Sequence, residues 1–178
     1  MNWVQLWANG PKFAEYNVGA ASATEYGGYY TWGGYNDKEE DYYNTGVSNL
    51  SCTGNFITDT ATNIWGSNWR MPTKEELDKL LANCDVAWTN DYKGDNTNIK
   101  GAIFTGKQGT AFASNSVFLP AAGFCASGTV LGQGGYGYFW SSTPNGGNNA
   151  YSLLFGSVNL AVGSNYRGNG QSVRSVTE

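Results

Sequence analysis

The chain has 178 residues, including 7 Trp, 12 Tyr, 8 Phe and 25 Gly but no His, and its formal net charge is −4. Without histidine, the chain cannot build a Ser-His-Asp or Cys-His nucleophile pair, a His-ligated zinc site or an imidazole acid and base. Because the net charge is negative and only 13% of the residues are charged, the composition does not suggest a basic surface that would bind nucleic acid or an anionic membrane. The 15% share of aromatic residues predicts a packed domain rather than disorder.

Short strands are the main elements that the sequence predicts. Turn residues interrupt the hydrophobic pattern about every 8–12 positions, which favours strands and loops over long helices. In chain order, strands are predicted at residues 3–6, 12–18, 116–119, 138–141, 151–155 and 172–176. In the strand at 151–155, Tyr151, Leu153 and Phe155 are expected to face the core, whereas Ser152 and Leu154 are expected to face solvent or a ligand.

Two short helices are predicted between these strands. Ser22 and Glu25 have the spacing of a capping box, and Gly27 would end that helix almost at once. A stronger capping box joins Thr73 and Glu76, and leucines follow it at helical spacing, which predicts a helix over about residues 73–83 with one buried face. No Pro-rich or charged linker divides the chain, so we expect a single α+β domain over residues 1–178.

Charge is distributed unevenly along the chain. Of the 24 charged side chains (10 Lys and Arg plus 14 Asp and Glu), 20 lie in residues 1–100, and the remainder of the chain holds only Lys107, Arg167, Arg174 and Glu178. Residues 131–178 combine Tyr, Ser, Gly and Asn with apolar residues such as Leu154 and Val158. This mixture is typical of an antibody-like paratope and equally of an ordinary edge of a β-rich domain. Residue types alone leave both interpretations open.

Candidate catalytic and metal-binding groups are few. The acidic residues at 39–41 fit a polar loop, Glu75 and Glu76 fit a helix N-terminus, and Cys125, a candidate nucleophile, has no visible base. Oxygen ligands around Asp91 and Asp95 offer a structural calcium site, although an Asx-rich surface turn is the commoner explanation for such a segment. We therefore expect no enzyme activity and no cofactor.

Cysteine spacing and the aromatic stretch carry less information. Cys52, Cys84 and Cys125 are widely spaced and odd in number, so they permit at most one disulfide, with buried free thiols as the alternative. The aromatic residues between 26 and 35 lack basic neighbours, which favours packing over stacking on nucleic-acid bases.

No apolar run approaches the roughly 20 residues that span a bilayer, and the first residues do not resemble a signal peptide, so direct membrane insertion is not expected.

Several motifs, in order along nearly the whole chain, carry a resemblance to a known family. They are Asn17-Val-Gly-Ala20, Glu25-Tyr-Gly-x-Tyr-Tyr-x-Trp32-Gly, Trp65-Gly-Ser-Asn-Trp-Arg-Met-Pro-Thr73, Phe118-Leu-Pro-Ala-Ala-Gly123, Phe139-Trp-Ser-Ser-Thr143, Ala150-Tyr-x-Leu-x-Phe155 and Arg167-x-x-Gly170-x-Ser-Val-Arg174. With these motifs the chain resembles the Fibrobacter succinogenes major paralogous domain. The resemblance implies a C-type lectin fold related to formylglycine-generating enzyme, in secreted or surface proteins of gut bacteria of the Bacteroidetes type.

The C-terminal part also resembles the variable region of proteins that diversity-generating retroelements modify. In such proteins, adenine-directed mutagenesis rewrites selected positions, typically Asn codons, while a framework stays fixed. The resemblance implies a variable segment at residues 131–178, with framework positions Trp140, Ser141, Ser142, Tyr151, Leu153, Phe155, Arg167, Gly170, Val173 and Arg174. It implies ligand-binding display positions at Tyr136, Tyr138, Asn145, Asn148, Ser152, Leu154, Val158, Leu160, Val162, Ser164, Asn165 and Tyr166.

The chain departs in three respects from the protein families that it resembles. It lacks the Glu-Pro-Asn and Trp-Asn-Asp motifs of calcium-dependent animal lectins and the paired C-terminal cysteines of formylglycine-generating enzymes, and Ser175 stands where many relatives have Cys.

The resemblance implies a recognition module, a surface adhesin or phage receptor-binding protein, that acts at the cell surface or on a virion tail. Its expected partner is a protein or glycan on another cell, and it is compatible with an oligomer. The alternatives are a lectin-like surface domain that is not diversified and, less favoured, an enzyme of the formylglycine-generating type.

Overall fold

The structure, a computed structural model, describes residues 1–32, 59–94, 96 and 98–178. The acidic residues 39–41, Cys52, Asp95 and residues 33–35 of the aromatic stretch lie outside these ranges. The described chain has a mixed α+β fold of small antiparallel sheets with two helices, which confirms the predicted class. Within the same ranges, no helix is long and apolar enough to cross a membrane.

Helix α1 spans Thr60–Trp65 and helix α2 spans Lys74–Asn83. Helix α2 confirms the prediction over residues 73–83, because both hydrogen bonds of the capping box form. The Thr73 hydroxyl accepts from the Glu76 backbone N–H at 3.2 Å, and the Glu76 carboxylate accepts from the Thr73 N–H at 2.8 Å. Helix α1 was not predicted, and Asp59 caps it by accepting from the Thr62 N–H at 3.0 Å.

The helix predicted from Ser22 and Glu25 is wrong, since these residues form a turn. The Glu25 carboxylate accepts from the Ala21 N–H at 2.9 Å, and the Glu25 N–H donates to the Ser22 carbonyl at 3.3 Å. Gly27 follows with a φ of 77°, and a Cβ at this position would lie 2.5 Å from the Val18 carbonyl oxygen. Neither bond is one of a capping box, since the carboxylate bonds to Ala21 and the Glu25 N–H to the Ser22 backbone carbonyl, and the backbone then turns away at Gly27.

Strands make up most of the regular structure. They are β1 (Trp3–Gln5), β2 (Lys12–Ala14), β3 (Cys84–Thr89), β4 (Gly101–Gly106), β5 (Ser116–Pro120), β6 (Phe124–Ala126), β7 (Thr129–Leu131), β8 (Tyr136–Asn145), β9 (Asn149–Gly156), β10 (Leu160–Tyr166) and β11 (Val176–Thr177). The sheet orders are β1-β2-β11, β3-β4-β5, β10-β9-β8 and β6-β7, with antiparallel neighbours.

Most predicted strands exist, although their ends differ. Strands β1, β2, β5, β8 and β9 correspond to predicted segments. Of the strand predicted at 172–176, only Val176 lies in β11, while Ser172 forms an isolated bridge with Phe139. Strands β3, β4, β6, β7 and β10 were not predicted.

The main hydrophobic core lies between the β3-β4-β5 sheet, the β10-β9-β8 sheet and α2. Phe104 on β4 meets Phe155 on β9 edge to face, with ring centroids 6.2 Å apart, and Phe139 on β8 stacks on Phe155 at 5.8 Å. Leu77 and Leu80 from α2 are buried in the same cluster. Each such side chain contributes about 1.5–3 kcal/mol through burial, so the core holds β8 and β9 firmly.

A second core joins the N-terminal segment to β8. Trp32 and Trp140 are almost completely buried in it. The Trp32 indole N–H donates to the Ser141 carbonyl and the Trp140 indole N–H donates to the Tyr30 carbonyl, both at 2.7 Å. Because each indole is satisfied by the backbone of the other segment, the two tryptophans fasten residues 30–32 to β8.

An ion pair at the start of α2 makes the stability of the fold sensitive to acid. Burial of the Glu76 carboxyl opposes ionisation, but hydrogen bonds from Arg70 at 2.7 and 2.8 Å and from Thr73 outweigh this, and its pKa is lowered from 4.5. A lowered folded-state pKa adds stability above the unfolded value of about 4.5, and this stability is lost as the pH falls through the folded value.

As the pH falls below about 4.5, we therefore expect the free energy of unfolding of the wild type to fall more steeply than that of Glu76→Gln. Urea unfolding followed by circular dichroism at several pH values measures this difference. Glu75→Gln is the matched control, because Glu75 is exposed and pairs with Lys79 on the helix surface. Equal pH slopes for the wild type and Glu76→Gln would contradict the expectation.

Candidate ligand-binding surface

The predicted display positions lie on the β10-β9-β8 sheet and its turns. In the antiparallel register, Tyr138 on β8 lies opposite Leu154 on β9, and Leu154 lies opposite Ala161 on β10. Paired residues share one face of a sheet, and successive residues alternate between faces. The register therefore assigns Leu153 and Phe155 to one face of the sheet and Ser152 and Leu154 to the other.

The face that carries Leu153 and Phe155 packs on the main core. Both residues are buried, as is Phe139 of β8, which lies opposite Leu153. Tyr151 lies farther along this face, where the Lys74 ammonium sits 5.3 Å from its ring centroid at the start of α2. This part of the prediction, with Leu153 and Phe155 in the core, is confirmed.

The opposite face is buried at one end and open at the other. Trp140 is 1% exposed at the buried end, within the second core. At the open end, Tyr138 and Leu154 are half-buried and Ala161 is exposed. The same face thus anchors the sheet through Trp140 and presents side chains to solvent two residues away.

An apolar row, consisting of Leu131, Phe124, Tyr138, Leu154 and Ala161, crosses this open end over strands β7, β6, β8, β9 and β10. Leu131 lies opposite Phe124, and the Phe124 ring meets the Tyr138 ring with centroids 4.9 Å apart. Every member is at least partly exposed, and Leu131 reaches 44%. Directly paired side chains on one face are about 4.5–5.5 Å apart, so the row is continuous.

The segment that carries the apolar row is uncharged. Residues 108–166 contain no Asp, Glu, Lys or Arg. Tyr136, which is 41% exposed, borders the row with its ring centroid 6.5 Å from that of Tyr138. Burial raises the pKa of the Tyr138 hydroxyl, which therefore stays neutral at physiological pH. The surface offers apolar area and neutral hydrogen-bonding groups.

The prediction that Ser152 faces solvent is wrong, because this side chain is completely buried. It lies between Trp140 on β8 and Gly163 on β10, and the Asn165 side-chain amide donates to its hydroxyl at 2.6 Å. The alternation of the sequence correctly separates Ser152 from the core face. It does not reveal that Trp140 fills the neighbouring position and that Asn165 covers the hydroxyl.

The structure divides the remaining display positions between the two ends of the sheet. One group lies near the β9–β10 turn and consists of Tyr136, Tyr138, Leu154, Val158 and Leu160, with Val162 farther along β10 and packed against the main core. The other group lies near the β8–β9 turn and consists of Asn145, Asn148, Ser164, Asn165 and Tyr166. Strand β9 spans seven steps of about 3.3 Å, so the two turns lie roughly 23 Å apart.

A cleft beside the first group contains residues that sequence reasoning missed. It has a volume of about 210 Å³ and lies between β3 and the β9–β10 turn, with Val86, Trp88, Val158 and Leu160 in its lining. The Trp88 indole N–H is already satisfied by Asn90 at 3.0 Å, so the ring offers the cleft an apolar wall. Alternation in residues 84–89 is the signal that could have pointed to β3 and Trp88.

The framework positions are buried or half-buried. Buried members are Trp140, Ser141, Leu153, Phe155, Gly170, Val173 and Arg174, and half-buried members are Ser142, Tyr151 and Arg167. Arg167 holds the β8–β9 turn by donating to the Gly146 and Asn149 carbonyls at 2.7 and 3.0 Å. Its guanidinium lies 4.3 Å from the Trp32 ring centroid, which links the turn to the second core.

The other candidate groups have structural surroundings. Cys84 and Cys125 are buried free thiols, and burial raises their pKa to about 12 and about 11, so both are protonated at neutral pH. The Asp91 carboxylate accepts from the Asn96 and Asn98 backbone N–H groups at 3.1 and 3.2 Å, so it bonds to the backbone of its own loop. Over the part of the chain that is described, no three His, Cys, Asp or Glu side chains cluster as metal ligands would.

Comparisons of this chain with protein-family models, with curated proteins and with solved structures found no match.

Proposed function

We propose that this protein is a recognition module, not an enzyme, that presents a ligand-binding surface on a C-type lectin scaffold. The proposal rests on the apolar row. This row is continuous, partly exposed and uncharged, and the sheet that carries it packs on both the main core and the second core. Exposed apolar patches mark interaction sites, and side chains held on rigid strands lose little entropy on binding. The resemblance of the motifs to the Fibrobacter succinogenes major paralogous domain supports the choice of scaffold.

The proposal includes diversification of the surface by a retroelement. The display positions are exposed or half-buried with the exception of Ser152, whereas the framework positions are buried or half-buried. A protein of this kind acts outside the cell, as a surface adhesin or as the receptor-binding protein of a phage, on a protein or glycan of another cell.

Sequencing of the DNA around the gene tests diversification. We expect a reverse-transcriptase gene and a template repeat that matches the codons for residues 131–178 and differs from them mainly at template adenines. Neighbouring protein genes supply the control, since they should have no such second copy. A gene with neither a reverse transcriptase nor a template would contradict diversification and leave a fixed binding surface.

Tolerance to substitution separates display positions from framework. Leu154→Thr is expected to lower the free energy of unfolding by about 1 kcal/mol or less, because this side chain is half-exposed. Ser152→Leu, one position away, is expected to lower it by about 1–3 kcal/mol, because the larger side chain must enter a filled site beside Trp140. Urea denaturation measures both. A larger loss for Leu154→Thr than for Ser152→Leu would contradict this assignment.

A lectin-like surface domain without diversification is the alternative. It would use the same scaffold, and a glycan array probed with and without calcium separates the two proposals. Strong, calcium-dependent binding to one class of sugar would favour the alternative. The third possibility, an enzyme of the formylglycine-generating type, gains no support from Cys125, whose thiol is buried and protonated. That possibility predicts a thiol-dependent oxidation by the wild type that Cys125→Ala abolishes.

A further inference from the structure

Strand β10 has an outer edge that pairs with no other strand in the described ranges. Strand β10 lies at the end of the β10-β9-β8 sheet and pairs with β9 over its whole length. On the side away from β9, residues 160–165 make no backbone hydrogen bond to any residue in the described ranges. In an antiparallel strand, every second residue directs its N–H and C=O groups to the same edge. The hydrogen-bonding residues along the outer edge of β10 are therefore about 6.8 Å apart.

This edge lacks the usual protection against strand pairing. Natural edge strands carry charged side chains, proline or a bulge that prevents another strand from adding. Strand β10 has the sequence Leu-Ala-Val-Gly-Ser-Asn-Tyr, with no charge and no proline, and it pairs with β9 without a register shift. Gly163 stands at its centre, and a Cβ there would meet no atom within 4 Å, so the backbone is open to close approach.

Apolar surface borders the edge on both faces of the sheet. On one face, the apolar row ends at Ala161, which is exposed. On the other face, Val162 is half-buried against the main core, and Leu160 lines the cleft of about 210 Å³ together with Val86 and Trp88. The side chains of a strand placed beside β10 would alternate between these two surfaces and bury both.

We propose that the ligand of this surface is a protein segment in extended conformation that adds to the outer edge of β10, at residues 160–165, as a further strand. Its uncharged side chains extend the apolar row on one face and cover Val162 and the Trp88 cleft on the other. Main-chain hydrogen bonds supply affinity, and the side chains that alternate between the faces supply specificity. This inference rests on the proposed recognition function and narrows its partner from a protein or glycan to an extended, uncharged peptide.

A model peptide tests strand addition directly. The probe is the acetylated and amidated peptide Thr-Val-Thr-Val-Thr-Val-Thr, and the readout is hydrogen exchange of the backbone amides of residues 160–165, followed by NMR in the full-length protein. In the free protein, amides that face β9 should exchange slowly and those that face outward should exchange fast. Millimolar peptide is expected to slow the fast group at least tenfold.

A fully N-methylated peptide of the same sequence is the matched control. Methyl groups on every backbone amide block both of its edges and leave its side chains unchanged. The parent peptide should protect the outward-facing amides of β10, and the methylated peptide should not. No protection by the parent peptide, or equal protection by the methylated one, would overturn the proposal.

A pair of protein variants locates the site. Ala161→Lys places a charge on the edge strand and should abolish the protection, whereas Ala111→Lys adds the same charge at the exposed turn between β4 and β5 and should leave it intact. Unfolding by urea verifies that both variants remain folded. If the peptide instead shifts the resonances of Tyr138 and Leu154 without protecting residues 160–165, strand addition is wrong and the recognition function still stands.

Discussion

Trp140→Ala is expected to lower the free energy of unfolding by about 3–5 kcal/mol. The side chain is 1% exposed in the second core, and its indole N–H donates to the Tyr30 carbonyl at 2.7 Å. Alanine removes the packing between residues 30–32 and β8 together with this hydrogen bond. Urea unfolding followed by circular dichroism gives the loss without depending on tryptophan fluorescence.

Two further variants identify the cause of that loss. Trp140→Phe retains an aromatic ring but lacks the N–H, and its expected cost is about 1–2 kcal/mol, because the Tyr30 carbonyl keeps the bond from the Gln171 N–H at 3.0 Å. Trp3→Ala is the matched control, since this tryptophan is 51% exposed and its removal should cost less than about 1 kcal/mol. Equal losses for Trp3→Ala and Trp140→Ala would contradict an anchoring role for Trp140.

Arg174→Ala is expected to cause a loss of similar size, on the order of 3–5 kcal/mol, for a different reason. The guanidinium is buried, and it donates to the Asn17 side-chain oxygen at 2.9 Å and to the Ala14 and Glu15 carbonyls at 3.2 Å. Burial lowers its pKa to about 9, so it remains protonated at neutral pH. Alanine leaves a cavity and strips these buried acceptors of their donor.

Arg174→Lys separates geometry from charge. Lysine keeps a positive charge but lacks the planar fork that reaches Asn17 and the two carbonyls together, so we expect it to recover less than half of the loss. Full recovery by lysine would mean that the charge alone is required. A loss below about 1 kcal/mol for Arg174→Ala would mean that the hydrogen bonds from Arg174 to residues 14–17 contribute little to stability.

Local signals predicted some elements and misled at others. The capping box of Thr73 and Glu76 predicted α2 correctly because leucines follow it at helical spacing and bury one face. The same spacing at Ser22 and Glu25 led to a wrong helix, since Gly27 adopts a positive φ directly after it. Helix α1 escaped prediction because its cap, Asp59, depends on the fold: the Asp59 carboxylate also accepts from the distant Met71 N–H at 2.7 Å.

The candidate site was partly predictable for related reasons. Alternation along β9 correctly predicted that Leu153 and Phe155 face the core. It could not predict the burial of Ser152, which depends on Trp140 in a neighbouring strand and on Asn165 in β10, a strand whose glycine and small polar residues hide its pattern. Phe124 and Leu131 join the surface through contacts between strands, so no local pattern in the sequence relates them to Tyr138 or Leu154.

The absence of charged residues between 108 and 166 has a kinetic consequence. Opposite charges accelerate protein association up to about 10⁸–10⁹ M⁻¹s⁻¹ at low salt, whereas neutral surfaces associate at about 10⁵–10⁶ M⁻¹s⁻¹. A surface without charge gains no such steering, so its association rate should be nearly independent of ionic strength. Partners of such a surface are then distinguished by how long they stay bound rather than by how quickly they arrive.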